Sequence, residues 1–189
     1  MTDVSGLFTP SRVAVVGATD REGSVGRALL ENLLADFEGD VVAVNPNRES
    51  VLGLECYPDV GSVPDPVDLA VVVVPATVAV DVLRDVGEAG VENAVVVTAG
   101  FSEVGETGAD RQRDLVEVAD TYEMNLVGPN CLGIISTPSG LNATFAAQNA
   151  LEGSISLMSQ SGAFITAVLD WAADHQVGFK DVVSLGNEA

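Results

Sequence analysis

Positive charge is scarce in this sequence. One lysine, Lys180, and seven arginines stand against 28 acidic side chains, a formal net charge of −20 over 189 residues. A surface of that sign repels nucleic acid and anionic lipid, so neither nucleic acid nor a membrane is expected as a partner. The acids are scattered along helical stretches rather than gathered in a tail. That favours an acidic, halophilic protein, solvated for a very salty cytoplasm, over an acidic partner-binding surface. At about 1 M salt the Debye length falls to roughly 3 Å, which screens the self-repulsion.

Other scarcities narrow the field. Cys56 and Cys131 are isolated and have no companion at metal-ligand spacing, so no metal site is read and a reduced, cytoplasmic protein is expected. The longest apolar run, 69–76, falls far short of the roughly 20 residues that span a bilayer. The opening "MTDVSGLFTPSR" has no basic stretch followed by an apolar run, which argues against a secretory signal. The single histidine, His175, closes the helical pattern "AVLDWAADHQVG", where an imidazole at a helix C-terminus is routine.

Apolar residues, in contrast, make up 47% of the chain, enough for a substantial core. Runs at 13–16, 41–44, 69–74 and 94–98 read as buried parallel strands, with 125–127 a shorter fifth. Between them, 26–35, 78–89 and 110–122 carry apolar residues at helical spacing. Strands alternating with helices predict a Rossmann-like, doubly wound parallel sheet. Next comes "GPNCLGIISTPSGLNATFAAQNALEG", roughly 26 residues of little periodicity, expected as a crossing between domains. A second strand, turn, helix and strand follow in "SISLM", "SQSG", "AFITAVLDWAADH" and "DVVSL". The expected organisation is 1–148 as one α/β domain and 149–189 as the beginning of a second, truncated because one βαβ unit cannot cover its own strands.

The first strand-to-helix turn, "VAVVGATDREGSVGRALL", lacks the dinucleotide fingerprint G-x-G-x-x-G. Gly17 permits a tight turn, Thr19 and Ser24 offer hydroxyls, and Gly26 lets helix and strand approach closely. Such a turn suits an anion at a helix N-terminus, or is a merely structural βα turn. The second strand ends in "AVNPNR", with no acid for ribose hydroxyls and with Arg48 placed as a charged fork for another phosphate. Arg12, Arg21, Arg27 and Arg48 all lie in the first 48 residues, which suggests a polyphosphate ligand; ion pairing is the alternative for Arg12 and Arg27. In "SQSGAF", Ser159 and Ser161 before Gly162 make a second anion site or a simple N-cap.

The segments "VAVVGATDREGSVGRALLENLL", "VVAVNPNRESVLGLECYPDV", "PVDLAVVVVPATVA", "AVVVTAGFSEVGE", "NLVGPNCLGIIS", "GSISLMSQSGAF" and "VVSLGNEA" occur in order. Together they resemble the amino-terminal part of the NDP-forming acyl-CoA synthetases. Within that family the likeness is greatest to ADP-forming acetyl-CoA synthetases (ADP-forming acetate–CoA ligases), relatives of the succinyl-CoA ligase alpha subunit. It covers essentially residues 8–189. It implies a first domain that binds coenzyme A and a second that is flavodoxin-like, as in succinyl-CoA ligase. By this resemblance Gly17, Ala18, Thr19, Ser24, Val25 and Gly26 form the nucleotide loop. Asn45, Pro46 and Arg48 match the segment of a basic phosphate contact, where lysine is usual. Val74 and Pro75, with Thr98, Ala99 and Gly100, match the adenine and pantetheine path.

Asn130 and Cys131 fall near the acyl-phosphate position, and Ser159, Ser161 and Gly162 at a helix start that a phosphohistidine approaches. Cys131 has no evident histidine to activate it and reads as a buried structural thiol. The family's phosphohistidine lies downstream of "SLGNEA", so the catalytic residue is unknown here and His175 is not expected to be it. In the family's route, phosphate converts the thioester to an acyl phosphate and free CoA. A histidine then passes the phosphoryl group to ADP on a nucleotide-grasp domain or subunit, where ADP or ATP and magnesium bind. The implied partners are therefore CoA, phosphate or acyl phosphate, and that grasp domain. Homo-oligomer formation and the acyl group are not legible. Three rivals stay open: the CoA-binding module of a protein acetyltransferase, a non-catalytic CoA sensor, and an NADP-dependent dehydrogenase using Arg48. The last lacks an evident acid–base pair.

Overall fold

A computed structural model describes residues 3–189. In chain order the regular elements begin with β1 (Arg12–Val16), α1 (Val25–Asp36), β2 (Asp40–Val44), β3 (Ser50–Val51), β4 (Leu54–Tyr57) and β5 (Leu69–Val72). They continue with α2 (Ala76–Glu88), β6 (Asn93–Val96), α3 (Glu106–Thr121), β7 (Asn125–Val127), β8 (Gly133–Ser136) and β9 (Leu141–Thr144). The last are β10 (Glu152–Ser159), α4 (Gly162–Asp174) and β11 (Phe179–Ser184).

The β-branched runs become the centre of a seven-stranded sheet ordered β3-β4-β2-β1-β5-β6-β7. Its strands are parallel except for the β3–β4 hairpin. Ala14, Ala70 and Ala94 lie in register across β1, β5 and β6. This row of small side chains, with Val16, Val72 and Val96, lets Leu83 and Val86 of α2 and Leu115 of α3 seat closely on that face. Val13, Val15, Val71 and Val95 point the other way, toward Leu29, Leu30 and Leu33 of α1. The first crossover from β1 leads to β2 on one side, and the chain later returns to β5 on the other. The carboxyl ends of β1 and β5 therefore flank a topological switch point, where ligands of open α/β sheets lie.

The α/β class and the five parallel strands match the sequence reading. The segment after Val127 does not. It was expected to be a crossing without regular structure, yet it builds β8 and β9, joined by a 3-10 turn at Thr137–Ser139. This antiparallel pair belongs to a second sheet, ordered β10-β11-β8-β9, in which β11 runs antiparallel to β8 and parallel to β10. All eight residues of β8 and β9 are buried, so no polar face alternates with an apolar one to mark a strand. Ile134, Leu141 and Ala143 join the core under the first sheet, while Ile135 packs with Ile165 and Leu169 of α4. Their buried polar neighbours are satisfied locally: the Thr144 hydroxyl donates to Asn142 Oδ1 (2.7 Å), and the Ser136 hydroxyl to Asp181 (3.0 Å). Asn32 of α1 fastens the hairpin by donating to the carbonyls of Thr144 (2.8 Å) and Ala146 (2.9 Å). No helix among the described residues is long and apolar enough to cross a membrane.

Leu141 is fully buried in the core shared by the two sheets, whereas Leu34 on α1 is 43% exposed. Leu141→Ala should cost about 2–5 kcal/mol of unfolding free energy, and Leu34→Ala well under half of that. Urea titrations followed by circular dichroism compare them. Equal small losses would mean that the hairpin is not part of the core.

Candidate functional site: a crevice at the carboxyl ends of the central strands

β1 ends in Gly17, whose φ is +97°. A side chain there would place its Cβ 2.6 Å from the Val73 carbonyl oxygen. Only glycine allows the loop to turn this close to the end of β5. The Gly17 and Ala18 amides both donate to the Val44 carbonyl (2.9 and 3.3 Å). Asn45 braces the same turn: its Nδ2 donates to the Ala18 carbonyl (2.8 Å), and its Oδ1 accepts from the Asn47 amide (3.0 Å). Gly17, Ala18 and Asn45 thus shape the loop, and these polar groups are occupied in doing so.

The loop then closes onto α1. Ser24 is the N-cap, accepting from the Arg27 amide (3.4 Å) and donating to the Arg21 carbonyl (2.7 Å). Thr19 Oγ1 accepts from the Arg21 amide (3.2 Å), which leaves its own proton free to donate. Val25 and Gly26 occupy the first turn, where amides have no intrahelical acceptor. Gly26 sits where a Cβ would come within 2.9 Å of the Gly17 carbonyl oxygen. Arg48 behaves differently from expectation. Its guanidinium is already paired with Asp20 at 2.8 Å, both side chains being about half exposed.

Two arms of one crevice meet at residues 73–75, which wall both. The first arm, about 480 Å³, runs between the ends of β1, β2 and β5 and α2. Gly17, Asn45, Pro46, Val74 and Pro75 line it, together with the apolar Val60, Val78 and Val82. The second arm, about 810 Å³, opens toward the second sheet. Val25, Val74, Pro75, Thr98 and Ala99 line it, as do Asn130, Cys131 and Gly162. No aspartate or glutamate lines this second arm.

Several side chains here are fixed by the fold. Thr98 Oγ1 donates to the Val74 carbonyl (2.6 Å), tying the ends of β5 and β6 together. Asn130, next to the cis Gly128–Pro129 bond, donates its amide to Thr98 O (2.9 Å) and its side chain to Asn187 Oδ1 (3.1 Å). Cys131 is buried, with its sulfur 3.4 Å from the Val96 carbonyl oxygen. Burial pushes its thiol pKa up to about 12, so it stays protonated at neutral pH and is no thiolate nucleophile. At the start of α4, Ser161 caps the Phe164 amide (3.2 Å) and Ser159 accepts from the Ser161 amide (3.1 Å). Both hydroxyls keep a proton to donate.

Gly100 is not part of the crevice wall. Its amide is held by Glu103 and its carbonyl by Arg111. The Glu103 carboxylate also accepts from the Phe101 amide (3.1 Å) and from Asn187 (2.6 Å). Burial opposes its charge, but these hydrogen bonds outweigh that and keep its carboxyl below the usual range. His175 lies at the far end of α4, stacked on Trp171 with ring centroids 4.3 Å apart. At roughly 1.5 Å per helical residue, about 20 Å separate it from the helix start.

Among the lining residues of the second arm that sequence reasoning did not assign to the site are Arg21, Phe145 and Gln160. Arg21 was legible only as one of four clustered arginines. Phe145 comes from the segment expected to be a crossing, and Gln160 stood unremarked between the two serines.

Residues 11–137 match the family described as CoA binding domain, and residues 152–189 match the succinyl-CoA ligase like flavodoxin domain. An acetate–CoA ligase (ADP-forming) I of Archaeoglobus fulgidus is 51% identical over 183 residues, covering 97% of this chain and 27% of its own length. The ADP-forming acetate–CoA ligase of Methanocaldococcus jannaschii is 46% identical, covering 95% of this chain and 25% of its own. This chain thus spans about a quarter of the length of those relatives. The dinucleotide-forming acetyl-coenzyme A synthetase 1 of Ca. Korarchaeum cryptofilum, solved in complex with phosphate and ADP, superposes with a TM-score of 0.95. It is 42% identical, and the match covers 100% of this chain and 40% of that one. With two thirds of its length matching a single family, the chain belongs to the CoA binding domain family, and its close homologues are ADP-forming acetate–CoA ligases.

Proposed function

We propose that this chain is the CoA-binding portion of an ADP-forming acyl-CoA synthetase. The parent reaction interconverts acetyl-CoA, ADP and phosphate with acetate, ATP and CoA, through an acyl phosphate and a phosphohistidine outside these residues. The observation that carries the reading is electrostatic. In a chain of net charge −20, the larger arm of the switch-point crevice has no carboxylate on its walls. An anionic ligand can enter there without meeting fixed like charge.

The residues fit CoA. The close approach at Gly17 and Gly26 leaves room for a diphosphate over the first turn of α1, beside Val25 and the free proton of Thr19. Ala18, Ser24 and Asn45 act one step back, by bracing that loop. The apolar first arm, past Pro46, Val74 and Pro75, suits the adenine, and the second arm, past Thr98 and Ala99, suits the pantetheine chain. Gly100 serves by shaping the loop that carries them. When bound, CoA supplies the thiol that carries the acyl group. We assign Asn130 and Cys131 to the wall of the acyl-phosphate pocket, and the hydroxyls of Ser159 and Ser161 with Gly162 to a phosphoryl group. Residues 1–148 then form the CoA domain and 149–189 the beginning of the ligase-like one. ADP or ATP and magnesium belong to a nucleotide-grasp domain beyond them. We place the parent enzyme in a salty cytoplasm, where the surface charge is screened.

Arg48 must exchange Asp20 for the 3′-phosphate of CoA. CoA should therefore bind more tightly than dephospho-CoA, by less than the full value of a charged hydrogen bond (about 1.5–3 kcal/mol). Asp20→Asn should widen the gap. Calorimetric titration in molar salt with CoA, dephospho-CoA and NADP measures it. Equal affinity for the two CoA forms in both proteins removes Arg48 from the site, and preference for NADP favours a dehydrogenase.

Gly26→Val should weaken CoA binding more than Arg48→Ala does, because the branched side chain drives α1 off the Gly17 carbonyl and shifts several donors together. Circular dichroism establishes that both variants fold. Unimpaired binding by folded Gly26→Val would mean that the ligand does not use this loop.

Incubation with labelled acetyl phosphate should leave His175 unlabelled in acid-labile phosphate analysis with peptide mapping. Its Nδ1 lies 2.8 Å from the Trp171 carbonyl oxygen, far from the crevice. Stoichiometric label on His175 would make this chain a phosphoryl carrier by itself.

A further inference from the structure

The arrangement of charge on the β1–α1 loop singles out one residue. Arg12, Arg27, Arg48, Arg84, Arg113 and Lys180 each have a carboxylate within 4.0 Å. Arg111 is held by the Gly100 carbonyl. Among the described residues, the Arg21 side chain alone of the lysines and arginines has neither an acidic partner nor a hydrogen bond. This holds although acids outnumber bases 28 to 8 and Arg21 stands between Asp20 and Glu22. Both neighbours are drawn elsewhere: Asp20 to Arg48 at 2.8 Å, Glu22 toward Arg27 at 3.9 Å.

The backbone of Arg21 is pinned on both sides. Its amide donates to Thr19 Oγ1, and its carbonyl accepts from both the hydroxyl (2.7 Å) and the amide (3.3 Å) of Ser24. Arg21 lines the second arm together with Asn130 and Gln160, and no carboxylate lines that arm. An unpaired guanidinium in a strongly acidic chain has a large incentive to find a carboxylate. Here both neighbouring carboxylates turn to other arginines, and the arm that Arg21 lines holds none.

We propose that Arg21 is a specificity-determining residue of the second arm, anchoring a phosphoryl group there by a charge-assisted, forked contact. Two sources share that chemistry: the diphosphate of CoA and free inorganic phosphate. The first rests on the CoA-binding reading; the second does not. Neither Asn130 nor Gln160 carries charge, so Arg21 supplies the positive charge of this arm and selects against ligands that lack a phosphoryl group.

The test uses the full chain and two variants, Arg21→Gln, which removes the charge, and Arg21→Lys, which restores it without the fork. Each is titrated calorimetrically with CoA, dephospho-CoA, pantetheine and inorganic phosphate at one salt concentration, after circular dichroism establishes folding. For a side chain this exposed, Arg21→Gln should weaken phosphoryl ligands about three- to tenfold. Arg21→Lys should recover part of that, and pantetheine should be unaffected by either change. Parallel losses for CoA and dephospho-CoA, with inorganic phosphate unchanged, assign the diphosphate. A loss for inorganic phosphate alone assigns free phosphate. If the unsubstituted chain binds no CoA yet loses phosphate affinity in Arg21→Gln, the CoA reading fails and the Arg21 assignment stands. Unchanged affinity for every phosphoryl ligand, or an equal loss for pantetheine, overturns it.

Discussion

The structure depends on covering the central strands β1 and β5 on both faces. Parallel strands with runs such as Val13–Val16 cannot leave either face in water, because each exposed valine forfeits about 1.5–3 kcal/mol of burial. One face solves this with α2 and α3 on a row of in-register alanines. The other cannot be covered by α1 alone. The β8–β9 hairpin completes it, with Ile134, Leu141 and Ala143 joining Leu29, Leu30 and Leu33 in one cluster. The second sheet is therefore placed by the core of the first, and the crevice between them inherits its shape from that packing.

The same arrangement explains the electrostatics of the crevice. Its walls come from strand ends and helix starts: Val74 and Pro75 after β5, Thr98 and Ala99 after β6, Gly162 at the start of α4. These five are small, apolar or hydroxyl side chains, which suits the close backbone approaches there. The acids fall on outward helix faces and in surface turns, where many hold an arginine. Segregation of charge thus follows from the fold and leaves the second arm of the crevice anion-tolerant inside an acidic molecule. Away from the crevice wall, the Glu103 carboxylate ties the loop after β6 to the end of the chain, gathering donors from Gly100, Phe101 and Asn187.

The shape of the candidate loop was legible because its signals are local. Gly17, Ser24 and Gly26 belong to one turn, and the constraints on them, a positive φ, an N-cap and a close approach, act within ten residues of sequence. Arg48 was recognised by type, but its partner was not, since Asp20 lies on a different loop that meets it only after β1 and β2 pair. Arg21 was hidden for the opposite reason. What distinguishes it is the absence of a partner, and that can be judged only when every neighbouring carboxylate has a position.

By itself, the sequence determined the alternation of buried strands and amphipathic helices, the parallel order that follows from it, and the glycine-and-hydroxyl turn after the first strand. These rest on periodicity and on backbone sterics, which are properties of short stretches. Only the tertiary structure decided the fate of residues 133–144. Their burial on both sides erases the alternation that would announce a strand, and hydrogen bonds to Phe179–Ser184 and packing on α1 supply what local preference does not. It also decided which charges are paired and which one lines the second arm, because pairing is fixed by distances across loops far apart in the chain.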